Sequence, residues 1–218
     1  MPGIKAALLV GTAAYSDPKF QRLRAPVHDV EALARVLSDP AIGGFDVKTL
    51  IDQSSWIVSD RIAEFFVDRN RDDLLLLYFS CHGVKDESGR LHLAATNTRY
   101  DLPSANGISS SWVDERMDRS RSQRIVLMLD CCYSGAYTRG VVPRADSSAH
   151  VVEDFEGGLE TGEADLDRDG WITINELYDY VYDHVRTAIP HQTPTLSTYG
   201  LKGELVPGEE PPARAGGG

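Results

Sequence analysis

The sequence predicts an α/β domain with a mostly parallel central sheet and helices on both of its faces. Three observations predict it. Short apolar runs alternate with amphipathic stretches along most of the chain, which is the order of parallel strands joined by crossover helices. Two of the runs, Leu74–Phe79 and Arg124–Asp130, are apolar almost without a break, as strands covered on both faces must be. With 218 residues, 42% hydrophobic and 25% charged, the chain can bury one sizeable core but not two large ones.

The elements follow in order. Lys5–Val10 reads as the first strand, ending at Gly11 without the cleavage-type spacer of a signal peptide. Within Val27–Leu37, residues Val30, Leu33, Ala34 and Leu37 recur at helical spacing, and Asp39-Pro40 stops the helix. Phe45–Leu50 is a second strand and Ser55–Arg69, with Ile57, Ile62, Phe65 and Phe66 to one side, a second helix. After Leu74–Phe79 come a strand over Arg90–Ala95, a helix over Ser110–Asp118 and the strand Arg124–Asp130. From Ser134 to Gly162 the chain is polar, with only His150–Val152 as a short element. Ile174–Ile189 reads as an amphipathic helix ended by Pro190, and Leu201–Val206 as an added edge strand. Residues 1–206 are therefore expected to form one domain. Residues 207–218, rich in Pro, Glu and Gly, are expected to be a tail that links to a further effector or sensor domain or partner.

Charge and cysteine usage narrow the function. A formal net charge of -11 and a pI near 4.9 repel phosphate backbones and anionic lipid, and no stretch is long enough to span a bilayer. Neither a nucleic acid nor a membrane is an expected partner. The three cysteines, Cys81, Cys131 and Cys132, are odd in number and two are adjacent, which is no disulfide framework. A reducing, cytoplasmic setting is expected.

Both central runs end in chemistry. Residues 77–83 read Leu-Tyr-Phe-Ser-Cys-His-Gly and residues 129–135 Leu-Asp-Cys-Cys-Tyr-Ser-Gly, at the C-terminal strand ends where open α/β sheets put their sites. A thiolate can attack a carbonyl, an imidazole can protonate the leaving amine, and backbone N–H groups can hold the oxyanion. Gly83 and Gly135 let the chain turn tightly beside a peptide. Singly, a strand-end Cys or His is more often a buried structural residue; the pair in this order points to nucleophilic catalysis. His28, His92, His150, His184 and His191 lack such a context and are expected at the surface or in loops. Cys81 beside His82 has no partner at zinc-binding spacing.

A strand ending in Ser-x-His-Gly, followed by one ending in Asp-x-Cys-x-Ser-Gly, resembles metacaspases and bacterial caspase-like peptidases. The resemblance runs from about Lys5 to Gly135 and continues more weakly into the last helix. The separation of His82 and Cys132 also agrees with the roughly 50 residues general to caspases. The resemblance implies a caspase–haemoglobinase fold, Cys132 as nucleophile, His82 as its acid/base partner, and an oxyanion hole from the N–H groups of Gly83 and Cys132. Cys131 is then a core-facing neighbour. It further implies that Asp130 and Ser80 occupy metacaspase pocket positions. Asp29, in the segment Leu-Arg-Ala-Pro-Val-His-Asp-Val, resembles that family's pocket acid, with Pro26 and His28 standing where the family has Cys and Asn. Converging carboxylates favour a guanidinium or ammonium, so the expected partner is a peptide or protein cut after Arg, then Lys. Asp29 has a second reading as a helix N-terminal carboxylate.

Residues Asp165 to Glu176 fit a twelve-residue EF-hand loop, with carboxylates at positions 1, 3 and 5, Gly at 6, Ile at 8 and Glu at 12. Asp165, Asp167, Asp169 and Glu176, with the Trp171 carbonyl, would offer oxygens to Ca²⁺ as a modulator that the chemistry does not require. Gly157, Gly158 and Gly162 argue against a full entering helix, and Thr173-Ile-Asn-Glu176 is equally a capping box that explains the acids without a metal. The expected protein is a calcium-modulated cysteine endopeptidase, by analogy an effector of bacterial defence or cell death. The alternatives are a catalytically silent caspase-like scaffold and a calcium-responsive binding module.

Overall fold

The computed structural model describes residues 3–131, 157–159, 161–173, 176–177, 179–180, 196–199 and 204–207. In chain order its elements are β1 (Lys5–Gly11), α1 (Ala25–Ser38), β2 (Asp46–Ile51), α2 (Ser55–Phe66), β3 (Leu74–Cys81), β4 (Gly83–Lys85), β5 (Leu91–Leu93), α3 (Pro103–Asn106), β6 (Ile108–Ser109), α4 (Ser110–Arg119), β7 (Arg124–Cys131), β8 (Trp171–Thr173), β9 (Leu196–Tyr199) and β10 (Glu204–Pro207). The central sheet has the order β2-β1-β3-β7-β9. Its first four strands are parallel and β9 runs antiparallel to β7. β1 steps to β2 on one side, while the chain continues through β3 and β7 on the other. The switch point lies between β1 and β3, and open α/β sheets place their sites at the carboxyl ends beside such a point.

Every residue of β3 is buried, because each of its faces carries a layer of helix. Leu76 and Tyr78 pack with Val30, Leu33 and Leu37 of α1. Leu75, Leu77 and Phe79 pack with Val58, Ile62 and Phe65 of α2 and with Val113 and Met117 of α4. The period-2 alternation of a strand makes this partition and carries it to the strand end. The N-terminus of α1 closes directly over β1: a Cβ on Gly11 would stand 2.7 Å from the Pro26 carbonyl oxygen and 2.9 Å from the Val30 side chain. Only glycine permits that approach, and Asp29 is set over the strand ends as a result.

Within residues 3–131 the expected helices and strands are present, with shifted ends where local geometry decides. α1 stops at Ser38 because Asp39 is extended ahead of Pro40, as a residue before proline prefers. The second helix was expected to reach Arg69 but ends at Phe66, where Val67 is extended and Asp68 takes φ 55°. The edge position expected for Leu201–Val206 belongs instead to β9, and β10 pairs antiparallel with β8 in a separate two-stranded sheet. β4 and β6, which had no apolar run to announce them, join β5 in a small antiparallel sheet. His150–Val152 lies outside the described residues, as does most of Ile174–Ile189, although 176–177 and 179–180 are helical. Among the described residues no helix is long and apolar enough to cross a membrane.

Candidate active site

In the parallel pairing of β3 with β7, Ser80 stands opposite Asp130 and Cys81 opposite Cys131. His82 and Cys132 follow these pairs in sequence. Cys132, with the chain to residue 156, lies outside the described residues. Cys131 is 2% exposed and packs with the α2 and α4 layer, as does Cys81. Cys131 is therefore a core residue, as expected.

The half-buried His82 is held by the loop between β1 and α1. Its Nε2 lies 2.8 Å from the Gln21 carbonyl oxygen. A carbonyl only accepts, so Nε2 carries the hydrogen, and in the neutral ring Nδ1 is left with the lone pair. Phe20 stacks on the imidazole at 5.5 Å and 24°, and Tyr15 tilts against it at 5.1 Å. The His82 backbone N–H donates to the Tyr15 hydroxyl (3.0 Å), which donates to the Thr12 carbonyl (2.7 Å). Burial, reinforced by the nearby Cys81 thiol, lifts the Tyr15 pKa well above a phenol's ordinary value, so it stays a neutral donor.

The loop is itself tied down. Thr12 N–H bonds to the Ser80 carbonyl, Ser16 N–H to that of Thr96, and Ala13 and Ala14 N–H to one carboxylate oxygen of Asp52. Tyr15, Phe20 and Gln21 escaped the sequence reading because no motif marks them. The available signal was position, since they follow the strand that flanks the switch point.

Gly83 opens β4. Ala94 N–H bonds to the His82 carbonyl at 2.8 Å and Asp86 N–H to that of Arg90 at 2.9 Å. The alternation of an antiparallel ladder makes the intervening Gly83–Leu93 pair a non-hydrogen-bonded one. The Gly83 N–H consequently faces away from β5.

The polar side chains of the strand ends gather on the α1 face. Ser80 Oγ donates to Asp29 Oδ2 at 3.2 Å, and Asp130 is opposite Ser80 on the neighbouring strand. Asp29 is not in the first turn of α1, whose first turn has no acidic residue; its side chain, 14% exposed, turns to the strand ends. His28, 73% exposed, stands 4.0 Å from it. The three residues expected to form a pocket are thus brought together. Below them lies Tyr78, 1% exposed. Burial raises its pKa well above the phenol range, and the charges of Asp130 and Asp29 add to the rise.

Against expectation, His92 is a core residue: it is 4% exposed in β5, with Nε2 3.1 Å from Asp86 Oδ2. The apolar strand residues around it carry it inward, and the carboxylate makes burial tolerable.

In the acidic loop, Asp165, Asp167 and Asp169 carry ligand-type oxygens that lie within 4.8 Å of one another. Gly170, at the sixth position, takes φ 88°, a conformation that favours glycine. Residues 157–159 and 161 are helical, so the glycines there do not prevent an entering helical segment. Glu176 Oε1 accepts from Leu166 and Asp167 N–H, Oε2 accepts from Thr173 N–H, and Thr173 Oγ1 accepts from Glu176 N–H. This is a reciprocal capping box. At Asp167 the Asp169 N–H pulls the pKa down, but burial and the charges of Asp169, Glu176 and Asp165 prevail, and it lies above its ordinary value. Such crowding of like charges is what a bound cation would relieve.

The family model for the caspase domain matches residues 4–202. The chain belongs to the caspase-domain family of cysteine peptidases and has the caspase–haemoglobinase fold. Its fold is similar to that of caspase-1 from Spodoptera frugiperda, at 14% identity and a TM-score of 0.64, over 90% of this chain and 87% of that one. It is also similar to a protein from Geobacter sulfurreducens, at 17% identity and a TM-score of 0.61, over 92% and 95% of the two chains. A search of curated protein sequences finds no significant match.

Proposed function

We propose that the protein is an endopeptidase of metacaspase type that cleaves after Arg, and second after Lys, through Cys132 and His82. The observation that carries this reading is the register of β3 and β7, with Ser80 facing Asp130 and Asp29 bonded to Ser80 two residue pairs below the dyad positions. A strand carried two residues past this pair would turn positions 82 and 132 to the same side of the sheet.

Gln21 holds the Nε2 hydrogen of His82, so Nδ1 takes the proton of the Cys132 thiol. The thiolate sulfur then bonds to the scissile carbonyl carbon, and the Gly83 N–H, with that of Cys132, stabilises the oxyanion. The proton on Nδ1 passes to the leaving amine as the C–N bond breaks, and water hydrolyses the thioester that remains. The flanking aromatic rings hold the imidazole plane through both transfers. Asp29 and Asp130 attract the cationic side chain that precedes the scissile bond.

Fluorogenic peptides ending in Arg, Lys or Asp test the reading. Arg is expected to be cut best, with at least a thousandfold loss in Cys132→Ala and His82→Ala. A peptide chloromethylketone ending in Arg should label wild type and Cys131→Ala but not Cys132→Ala. Cleavage after Asp alone would overturn the specificity, and undiminished labelling of Cys132→Ala the nucleophile. A protein that neither cuts nor is labelled would be the silent scaffold.

We also propose that Asp165, Asp167, Asp169, the Trp171 carbonyl and Glu176 hold Ca²⁺ and so brace the helix that follows. Glu176 has both oxygens engaged by backbone N–H groups, so joining the ion requires some of these bonds to open. The proposal expects a rise in melting temperature with millimolar Ca²⁺ over chelator, lost in Asp165→Asn/Asp167→Asn. An unchanged melting temperature would sink it.

A further inference from the structure

Among the described residues β2 pairs only with β1 and forms one edge of the central sheet. The bond from the Asp52 N–H to the Gly11 carbonyl fixes the direction of its backbone groups. Alternate residues of a parallel ladder turn both groups toward the same neighbour, so Leu50 and Lys48 also face β1. Val47 and Thr49 then turn their N–H and C=O groups outward, where no described residue bonds to them. Ile51 faces outward as well, its carbonyl taken by the Gln53 side-chain amide at 2.9 Å. Beside this open edge lies a cleft of about 310 Å³ between α2 and the sheet. It exists because α2 packs on β1 and β3, and of the β2 residues only Leu50 joins that apolar layer.

The cleft is lined by apolar Ala6, Leu8, Leu50 and Phe65 together with charged side chains. Of these, Glu64 is paired with Arg61. Arg69 is held in place, its Nε donating to the Phe65 carbonyl and its guanidinium lying 5.3 Å from the centre of the Phe65 ring. Its terminal nitrogens and the Lys48 ammonium have no carboxylate at ion-pair distance among the described residues. On a chain of net charge -11, two unpaired cations beside an open strand edge attract acid against the general field. An edge lysine ordinarily guards a sheet against a further strand, but it does not guard against a strand that brings a carboxylate. We infer that the β2 edge is a docking site for an extended acidic segment of a partner protein, which adds to the sheet as a further strand. Its backbone bonds to Val47 and Thr49, and its alternate side chains fall on the α2 side. There one apolar side chain enters the cleft, which is at the small end of ligand sites, and the carboxylates flanking it meet Lys48 and Arg69. A second copy of β2 is a poorer occupant. The antiparallel register that exchanges bonds between Val47 and Thr49 sets Lys48 of one copy opposite Lys48 of the other, and like charges so placed repel.

The probe is a fluorescein-labelled peptide, Thr-Glu-Val-Phe-Val-Glu-Thr, whose two Glu and one Phe share a face when extended. It has no basic residue to be cut, and its binding to the full chain is read by fluorescence anisotropy. Lys48→Glu is expected to weaken binding about tenfold, and Asp46→Asn, which removes the one unpaired acid of the cleft, to strengthen it about twofold. Both positions are exposed, so the melting temperature should move by no more than a few degrees in either variant. A second arm needs no variant of the protein. N-methylation of alternate peptide residues, those whose N–H groups face β2, should abolish binding, while N-methylation of the residues between them should be tolerated. No binding at millimolar peptide, binding that survives Lys48→Glu, or the same response to N-methylation at every position would overturn the inference. A concentration-dependent dimer in sedimentation that the peptide fails to dissociate would also overturn it, and would make a second copy the occupant.

Discussion

The two faces of the sheet at the ends of β3 and β7 are built from consecutive residues and do opposite things. Ser80 and Asp130 turn toward α1, where Asp29 meets them. Cys81 and Cys131, one residue further on, turn into the apolar layer beneath α2 and α4. The difference is one step of strand alternation, so a single residue separates a polar position facing α1 from one buried in the apolar layer. The same step explains why adjacent cysteines at 131 and 132 have different expected fates.

Substitutions on the two faces should therefore separate stability from specificity. The largest effect is expected from Leu127→Ala, fully buried on the α2 and α4 side. It should cost about 2–5 kcal/mol in a denaturant titration, with kcat/KM per folded molecule little changed. Asp130→Asn, three residues along and on the other face, should invert that result. It should lower kcat/KM for an Arg peptide roughly a hundredfold and shift the melting temperature by no more than a few degrees. If Asp130→Asn unfolds the protein, or Leu127→Ala changes the Arg to Lys ratio, the division between faces fails.

A smaller effect is expected at Phe20, whose ring stacks on His82. Phe20→Leu keeps apolar bulk but loses the flat support, so the imidazole samples orientations that do not reach the amine. A fall of about tenfold in kcat, with KM retained, would mark positioning. A parallel loss of stability with kcat unchanged would instead make Phe20 a packing residue.

The sheet and the strand-end residues were legible because their signals are local and periodic. Leu74–Phe79 is apolar throughout, and the Ser-x-His-Gly and Asp-x-Cys-x-Ser-Gly motifs occupy contiguous positions. What escaped depends on tertiary position. Gln21 contributes a backbone carbonyl, which any residue could provide, and Tyr15 and Phe20 lie in a loop without periodicity. β9 was missed because it is short and polar, and takes its strand state from pairing with β7. His92 was misjudged because its partner, Asp86, sits across a turn rather than at a motif spacing.

His92 and His82 give the comparison its finest test, since one fold treats the same side chain in two ways. His82 meets a neutral carbonyl and two aromatic rings. His92 meets the carboxylate of Asp86, whose side chain is 6% exposed. The His92 hydrogen bond, aided by the Arg90 and Ser88 backbone N–H groups and the Arg90 side chain, holds the Asp86 pKa at about 2. A carboxyl depressed on folding stabilises the native state above its unfolded pKa, near 4, and that contribution is lost as pH falls through the folded value. Asp86→Asn should therefore lower stability at neutral pH and flatten its decline between about pH 4 and pH 2. Because Asp86 anchors the β4–β5 turn behind Gly83, the variant should change kcat by no more than about twofold per folded molecule. If kcat instead falls about tenfold or more in Asp86→Asn, the turn behind Gly83 positions the proposed site, and the two histidines no longer mark separate roles in the fold.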